Sequence, residues 1–257
     1  MVRENALMAR LRAGKRTLGS WLQLNSPTAA EVIGLAGYDC ALIDQEHAPG
    51  DIPGLVAQLQ ALAPSPTTAV VRVPWNDPVY LKRVLDVGAE GVMVPMVQTA
   101  EEAARVVAAC RYPPKGIRGI ALSMRAANYG MAGAEYLAGI ERNLLIICQI
   151  ESQAAVQNIE AIAAVEGVDM VFIGPSDLAA SIGRTGQRNH PDVAALIKDA
   201  EARIARTGKW AGAITTESTG ADELFARGYH LVIAAADLGF IREGATRQVK
   251  AFRERQA

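Results

Sequence analysis

A (β/α)₈ barrel in a single domain spanning residues 1–257 is the fold class this chain predicts, on three observations. Short apolar, β-rich runs recur along its whole length, helical patterns separate most of them, and no linker-like shift in composition interrupts the series. Such alternation marks repeated βα units and a parallel sheet, and 257 residues suit one barrel of that kind. Half of the residues are hydrophobic, enough to bury a large core.

Taken in chain order, residues 1–16 alternate charge with Leu and Met and lack a continuous apolar stretch, which predicts a short amphipathic helix rather than a signal peptide. A strand at 18–22 then leads to a helix at 28–35, and a strand at 40–43 to a helix at 52–62. The third and fourth units pair strand 69–73 with helix 78–86 and strand 91–94 with helix 100–109. The Gly, Pro and Arg of 113–142 predict a long loop or an extra helical turn. Strand 144–150 precedes a helix at 154–163, and strand 170–173 precedes a small-residue turn, the start of a helix, and a longer helix at 191–206. The last two units are strand 210–214 with helix 219–226 and strand 231–234 with helix 238–253.

Composition narrows the partners. Net charge is −1 with Lys and Arg scattered rather than banked, which excludes a nucleic-acid or anionic-membrane surface. Cys40, Cys110 and Cys148 are odd in number and show no CxxC spacing, the usage of a reduced, cytoplasmic protein. No segment approaches the length of an apolar membrane span.

Chemistry in such barrels gathers where the strands end and the βα loops begin. The polar residues obey that rule: Asp44 and His47 follow the second strand, Arg72 ends the third, Gln149 and Glu151 end the fifth, and Ser176 and Asp177 follow the sixth. Glu151 and Asp177, each just after an apolar run, form a pair of carboxylates suited to a hard divalent cation that keeps positions for water and substrate. Asp177 alone reads equally as a helix cap. His47, three residues beyond Asp44, reads as half of an acid/base dyad or as a surface His beside a capping Asp. Arg72, in an otherwise apolar strand, serves either an anionic ligand or a buried ion pair. The turn Gly174, Pro175, Ser176 opens a helix whose free N–H groups suit a carboxylate or phosphate. His190 and His230 read as structural, and no lysine sits at a strand end in an apolar setting where it would form a Schiff base with a carbonyl substrate.

These residues fall within stretches that resemble the HpcH/HpaI aldolases, metal-dependent pyruvate aldolases that include 4-hydroxy-2-oxoheptanedioate and 2-dehydro-3-deoxyglucarate aldolases. The matching stretches are Ile43-Asp44-Gln45-Glu46-His47-Ala48-Pro49, Trp75-Asn76-Asp77-Pro78, Val94-Pro95-Met96-Val97, Tyr112-Pro113-Pro114-Lys115-Gly116-Ile117-Arg118-Gly119, Gln149-Ile150-Glu151 and Phe172-Ile173-Gly174-Pro175-Ser176-Asp177-Leu178. They run in order over nearly the whole chain. The resemblance implies that Glu151 and Asp177 ligate Mg²⁺, Mn²⁺ or Co²⁺ with no organic cofactor, and that Asp44 and His47 form the acid/base dyad. It further implies that Arg72 faces the pyruvyl oxygen, Gln149 lines the site, and backbone amides near Gly174 and Ser176 receive the carboxylate, with Pro175 between them also at the substrate. A final helix exchanged with a partner subunit, in a homohexamer built as a trimer of dimers, also follows from it. Gln45 and Ser176 depart from the family pattern, where Gly and Ala are frequent.

The expected activity is reversible aldol cleavage of a 4-hydroxy-2-oxo acid to pyruvate, held as a metal-bound enolate, and an aldehyde. An oxaloacetate-type decarboxylase or lyase would use the same site, and a non-catalytic keto-acid-binding barrel is the alternative of a different class.

Overall fold

The computed structural model describes residues 3–256. Eight parallel strands close into a barrel in sequential order: β1 (Thr17–Leu22), β2 (Cys40–Asp44), β3 (Thr68–Arg72), β4 (Gly91–Val94), β5 (Leu145–Ile150), β6 (Met170–Ile173), β7 (Trp210–Ile214) and β8 (Leu231–Ala236). All eight expected strands are present, three of them with the expected bounds. The helices are α1 (Ala6–Arg12), α2 (Pro27–Leu35), α3 (Ile52–Leu62), α4 (Pro78–Asp86), α5 (Ala100–Cys110), α6 (Gly133–Asn143), α7 (Gln153–Gln157), α8 (Ile159–Ala164), α9 (Pro175–Ser181), α10 (Pro191–Thr207), α11 (Ala221–Ala226) and α12 (Asp237–Glu254).

Strand periodicity divides the core in two. Leu42, Val70, Met93, Ile147, Phe172 and Ile233 point into the barrel, while Ala41, Ile43, Val71, Val92, Cys148 and Val171 face the helical layer. The interior is tight: a Cβ on Gly212 would lie 2.5 Å from Phe172 Cδ2 and 3.0 Å from Met170 Sδ, so only glycine leaves room for that ring. The predicted N-terminal helix is real but shorter, and Met1 and Val2 lie outside the described residues. Leu7, Met8 and Leu11 of α1 join the barrel-interior cluster, and the Leu7 N–H donates to Thr68 Oγ1, so the helix plugs the end of the barrel where the strands begin.

Two expectations change. The stretch 113–142 is not merely a loop: α6 occupies its end, burying Tyr136 and Gly139, and it starts without a side-chain cap, which removed the usual signal. The helix expected at 154–163 is two short helices that meet at Asn158, whose side-chain N–H₂ donates to the Gln98 carbonyl instead of prolonging one regular helix. No helix among the described residues is long and apolar enough to cross a membrane.

Candidate active site

Alternation places the site. Leu42 and Asp44, Val70 and Arg72, and Ile147 and Gln149 share parity along their strands, so the polar member of each pair forms a layer at the strand ends, directly above the apolar interior. In the parallel register Asp44 stands beside Arg72. The Arg72 guanidinium grips Asp44 with Nε 3.0 Å from Oδ1 and Nη2 2.7 Å from Oδ2, and lies over the Trp21 ring, 4.2 Å from its centroid. Nη1 lies 3.0 Å from Glu46 Oε2, off the line of a hydrogen bond, so that buried oxygen is paired by charge alone. Burial raises the cost of ionising Asp44, yet Arg72 and the backbone N–H groups of Glu46 and His47 outweigh it and hold the carboxyl below its ordinary value.

The Asp44 and His47 side chains of the expected dyad do not touch in this arrangement. Both Asp44 oxygens are taken by Arg72, and the loop backbone shares one of them, so the carboxylate within reach of the His47 imidazole is Glu46, with 3.8 Å between Nε2 and Oε1. His47 itself is 64% exposed in its side chain. Arg72 combines the two readings left open for it, being buried in an ion pair and also part of the cavity wall.

Glu151 follows β5 and is buried. Its Oε1 accepts from Gln149 Nε2 at 2.8 Å and its Oε2 from the Met96 N–H at 3.0 Å. Met96 adopts a left-handed backbone, φ 54°, to aim that N–H, a strained conformation for a residue with a side chain. Burial above all pushes the Glu151 carboxyl up to about 7; the Met96 bond opposes this, and the negative charges of Asp177 and Glu46 add to it. Asp177 lies in the first turn of α9 and is exposed to the cavity. Gly174 lets the two elements meet, since a Cβ there would sit 2.3 Å from Glu151 Oε1 and 2.9 Å from Gln149 Nε2.

The expected anion cradle at this turn narrows. The Gly174 N–H donates to the Ile150 carbonyl and Pro175 has no N–H, which leaves the first-turn amides of Ser176 and Asp177. Gln149 Oε1 is buried with no protein donor. His47, Arg72, Gln149, Glu151, Gly174, Pro175, Ser176 and Asp177 all line one cavity of 370 Å³ at this rim. The other candidates lie elsewhere as structural groups: His190 Nδ1 accepts from the Asp192 N–H at the start of α10, His230 Nδ1 accepts from the Ala211 N–H, and Lys209 Nζ donates to the Val168 carbonyl.

Trp21 and Glu46 were missed as site residues. Trp21 could have been found from strand parity, because it shares the inward face that carries Arg72. Glu46 lies within a matched stretch but carries no spacing signal of its own.

The residues present suit a hard cation. Among the described residues no group of three or more His, Cys, Asp or Glu side chains comes together as a metal cage, and Glu151 and Asp177 are two carboxylates on the wall of the one rim cavity. A cation held here would relieve the cost of burying Glu151 beside like charges.

Comparison with known proteins places this geometry. The sequence pattern of the HpcH/HpaI aldolase/citrate lyase family matches residues 17–243. A 5-keto-4-deoxy-D-glucarate aldolase of Salmonella arizonae is 44% identical over 250 residues, 97% of either chain. Among solved structures, an HpcH/HpaI aldolase/citrate lyase family protein from Burkholderia cenocepacia J2315 superposes with a TM-score of 0.92 at 38% identity, covering 97% of this chain and 99% of that one. An HpcH/HpaI aldolase from Desulfitobacterium hafniense DCB-2 gives 0.88 at 31% identity, with 96% of each chain covered.

Proposed function

The chain belongs to the HpcH/HpaI aldolase/citrate lyase family and is a carbon–carbon lyase of the aldolase type, and we propose that it cleaves a 4-hydroxy-2-oxo acid reversibly to pyruvate and an aldehyde. The observation that carries the reading is the buried Glu151, held by Gln149 and Met96 in the same cavity as Asp177, Arg72 and His47. Glu151 and Asp177 would hold a divalent cation, Mg²⁺, Mn²⁺ or Co²⁺, and when bound it supplies Lewis acidity toward the oxygens of the 2-oxo acid.

The chain's own groups do the rest. Arg72, kept in place by Asp44 below and Trp21 beside it, presents a fixed positive charge to the keto oxygen of pyruvate as negative charge develops there. Because that fork is already clasped, orienting it at the moment of reaction costs little. The N–H groups of Ser176 and Asp177 receive the pyruvate carboxylate at the start of α9. His47, with the Glu46 carboxylate 3.8 Å away, takes the C4 hydroxyl proton in cleavage and returns it in addition. Gln149 holds Glu151 through its N–H₂, while its own Oε1 is buried without a protein donor.

The relatives named for 5-keto-4-deoxy-D-glucarate support a polyhydroxylated sugar-acid substrate. The exposed apolar residues of α12, Leu238, Phe240, Ile241, Val249 and Phe252, support assembly through that helix, as a hexamer of exchanged dimers. The experiment that tests the activity is deuterium exchange from solvent into the pyruvate methyl group, followed by NMR on metal-stripped protein before and after addition of Mg²⁺ or Mn²⁺. Metal-dependent exchange above the metal-only control is expected. No exchange despite pyruvate binding would favour a binding protein or a different keto acid.

A further inference from the structure

One guanidinium at the rim has no partner of its own. Arg188, in the loop between α9 and α10, is half-buried and lines the 370 Å³ cavity together with His47, Glu151 and Asp177. It also lines a second cavity of 320 Å³, and the two share a wall made by Pro175, Arg188 and Ile214. The neighbouring cations are matched: Arg72 by Asp44 and Glu46, Arg184 by Asp192, Arg227 by Glu201, while Arg242 lies 3.7 Å from Glu243. The Arg188 side chain makes no hydrogen bond or ion pair with any described residue.

A cation left unmatched between two cavities, one of them lined by catalytic groups, is placed to meet an anion that arrives with the substrate. The pyruvate half of a 4-hydroxy-2-oxo acid is already provided with Arg72 and the start of α9. The aldehyde half must extend away from Glu151 and Asp177, and the second cavity offers it Asn189, Thr216, Ser218 and Thr219 as hydrogen-bonding groups. We propose that Arg188 is a specificity-determining residue that binds a carboxylate at the far end of the aldehyde half, so that the enzyme selects acceptors by their charge. The proposal rests on the aldolase reading above and adds no step to it.

The test uses full-length protein with Mn²⁺ and pyruvate, and compares kcat/KM for succinic semialdehyde with that for butanal, an uncharged aldehyde of the same length. Wild type is expected to prefer the carboxylated aldehyde. Arg188→Ala and Arg188→Gln are each expected to lower the ratio of the two values on the order of 10- to 100-fold, and Arg188→Lys to restore part of it. A ratio unchanged in both neutral variants, or no preference in wild type, overturns the assignment while leaving the aldolase reading intact. Absence of metal-dependent exchange into pyruvate by wild type would overturn both together.

Discussion

Asp44 and Arg72 show how a single pair organises the site. Each ends its strand, the parallel register sets them side by side, and the barrel buries both. Removing Asp44 leaves the largely buried Arg72 guanidinium with only the charge of Glu46 beside it. Asp44→Ala is therefore expected to destabilise the protein by about 3–5 kcal/mol, read as a lower denaturant midpoint. Acid has the same effect by protonation. Because the folded carboxyl is held below its ordinary value, its contribution is complete above roughly pH 4 and is lost as pH falls through the folded value. Unfolding curves taken from pH 7 down to pH 3 should show this loss in wild type and a shallower slope in Asp44→Asn. A slope unchanged in that variant would assign the acid response to other carboxyls. Gly174 gives a complementary test: in Gly174→Ala the new Cβ must displace Glu151, so Mn²⁺ affinity measured by calorimetry should fall at least about tenfold while circular dichroism stays native. Undiminished affinity would detach Glu151 from the cation.

Among the elements, α12 depends on its first residue. Asp237 is buried, and its carboxylate accepts from the N–H groups of Gln23, Leu24 and Leu238, so one side chain ties the start of the helix to the end of β1. Asp237→Ala would leave those N–H groups without acceptors, at a cost of about 1–3 kcal/mol for each that stays buried. Amide hydrogen exchange should rise at Gln23 and Leu24 and through the first turns of α12, with little change in β3 or β5. Exchange that rises uniformly would mean the residue supports the whole barrel rather than this junction. The element scale is also where local patterns were most readable. The bounds of β4, β6, β7, α3 and α4 follow directly from apolar runs and their flanking residues. α6 escaped because Gly133 and Gly139 lower its helical signal and its stability comes from burying Tyr136 on the rest of the chain.

For the whole molecule, the decisive feature is what α12 leaves uncovered. Phe240, Ile241 and Phe252 are each about half exposed on a helix that packs on the barrel chiefly through its beginning. Exposed apolar surface of this kind commonly marks an interaction site, which is the basis of the assembly proposed above. Light scattering on purified protein should give a mass several times the 27.3 kDa of one chain, and the double variant Phe240→Glu, Phe252→Glu should shift it toward the monomer with the far-ultraviolet spectrum retained. A monomeric wild type would remove α12 as the contact.

Strand parity and βα alternation, local properties repeated eight times, were enough to read from the chain the closed barrel and the rim where its polar strand-end residues stand. The same reading singled out Glu151, Asp177, Arg72, Gln149 and His47, since they stand at or just beyond the ends of apolar strands. How those residues are shared is set by packing across the barrel. Asp44 is committed to Arg72, leaving Glu46 beside His47; the Gly174 amide is spent on Ile150; and Met96, 55 residues before Glu151, turns left-handed to reach it. Such choices depend on a few ångströms between side chains from different strands. Spacing along one chain sets which groups arrive at the rim, and closure of the barrel sets which of them meet.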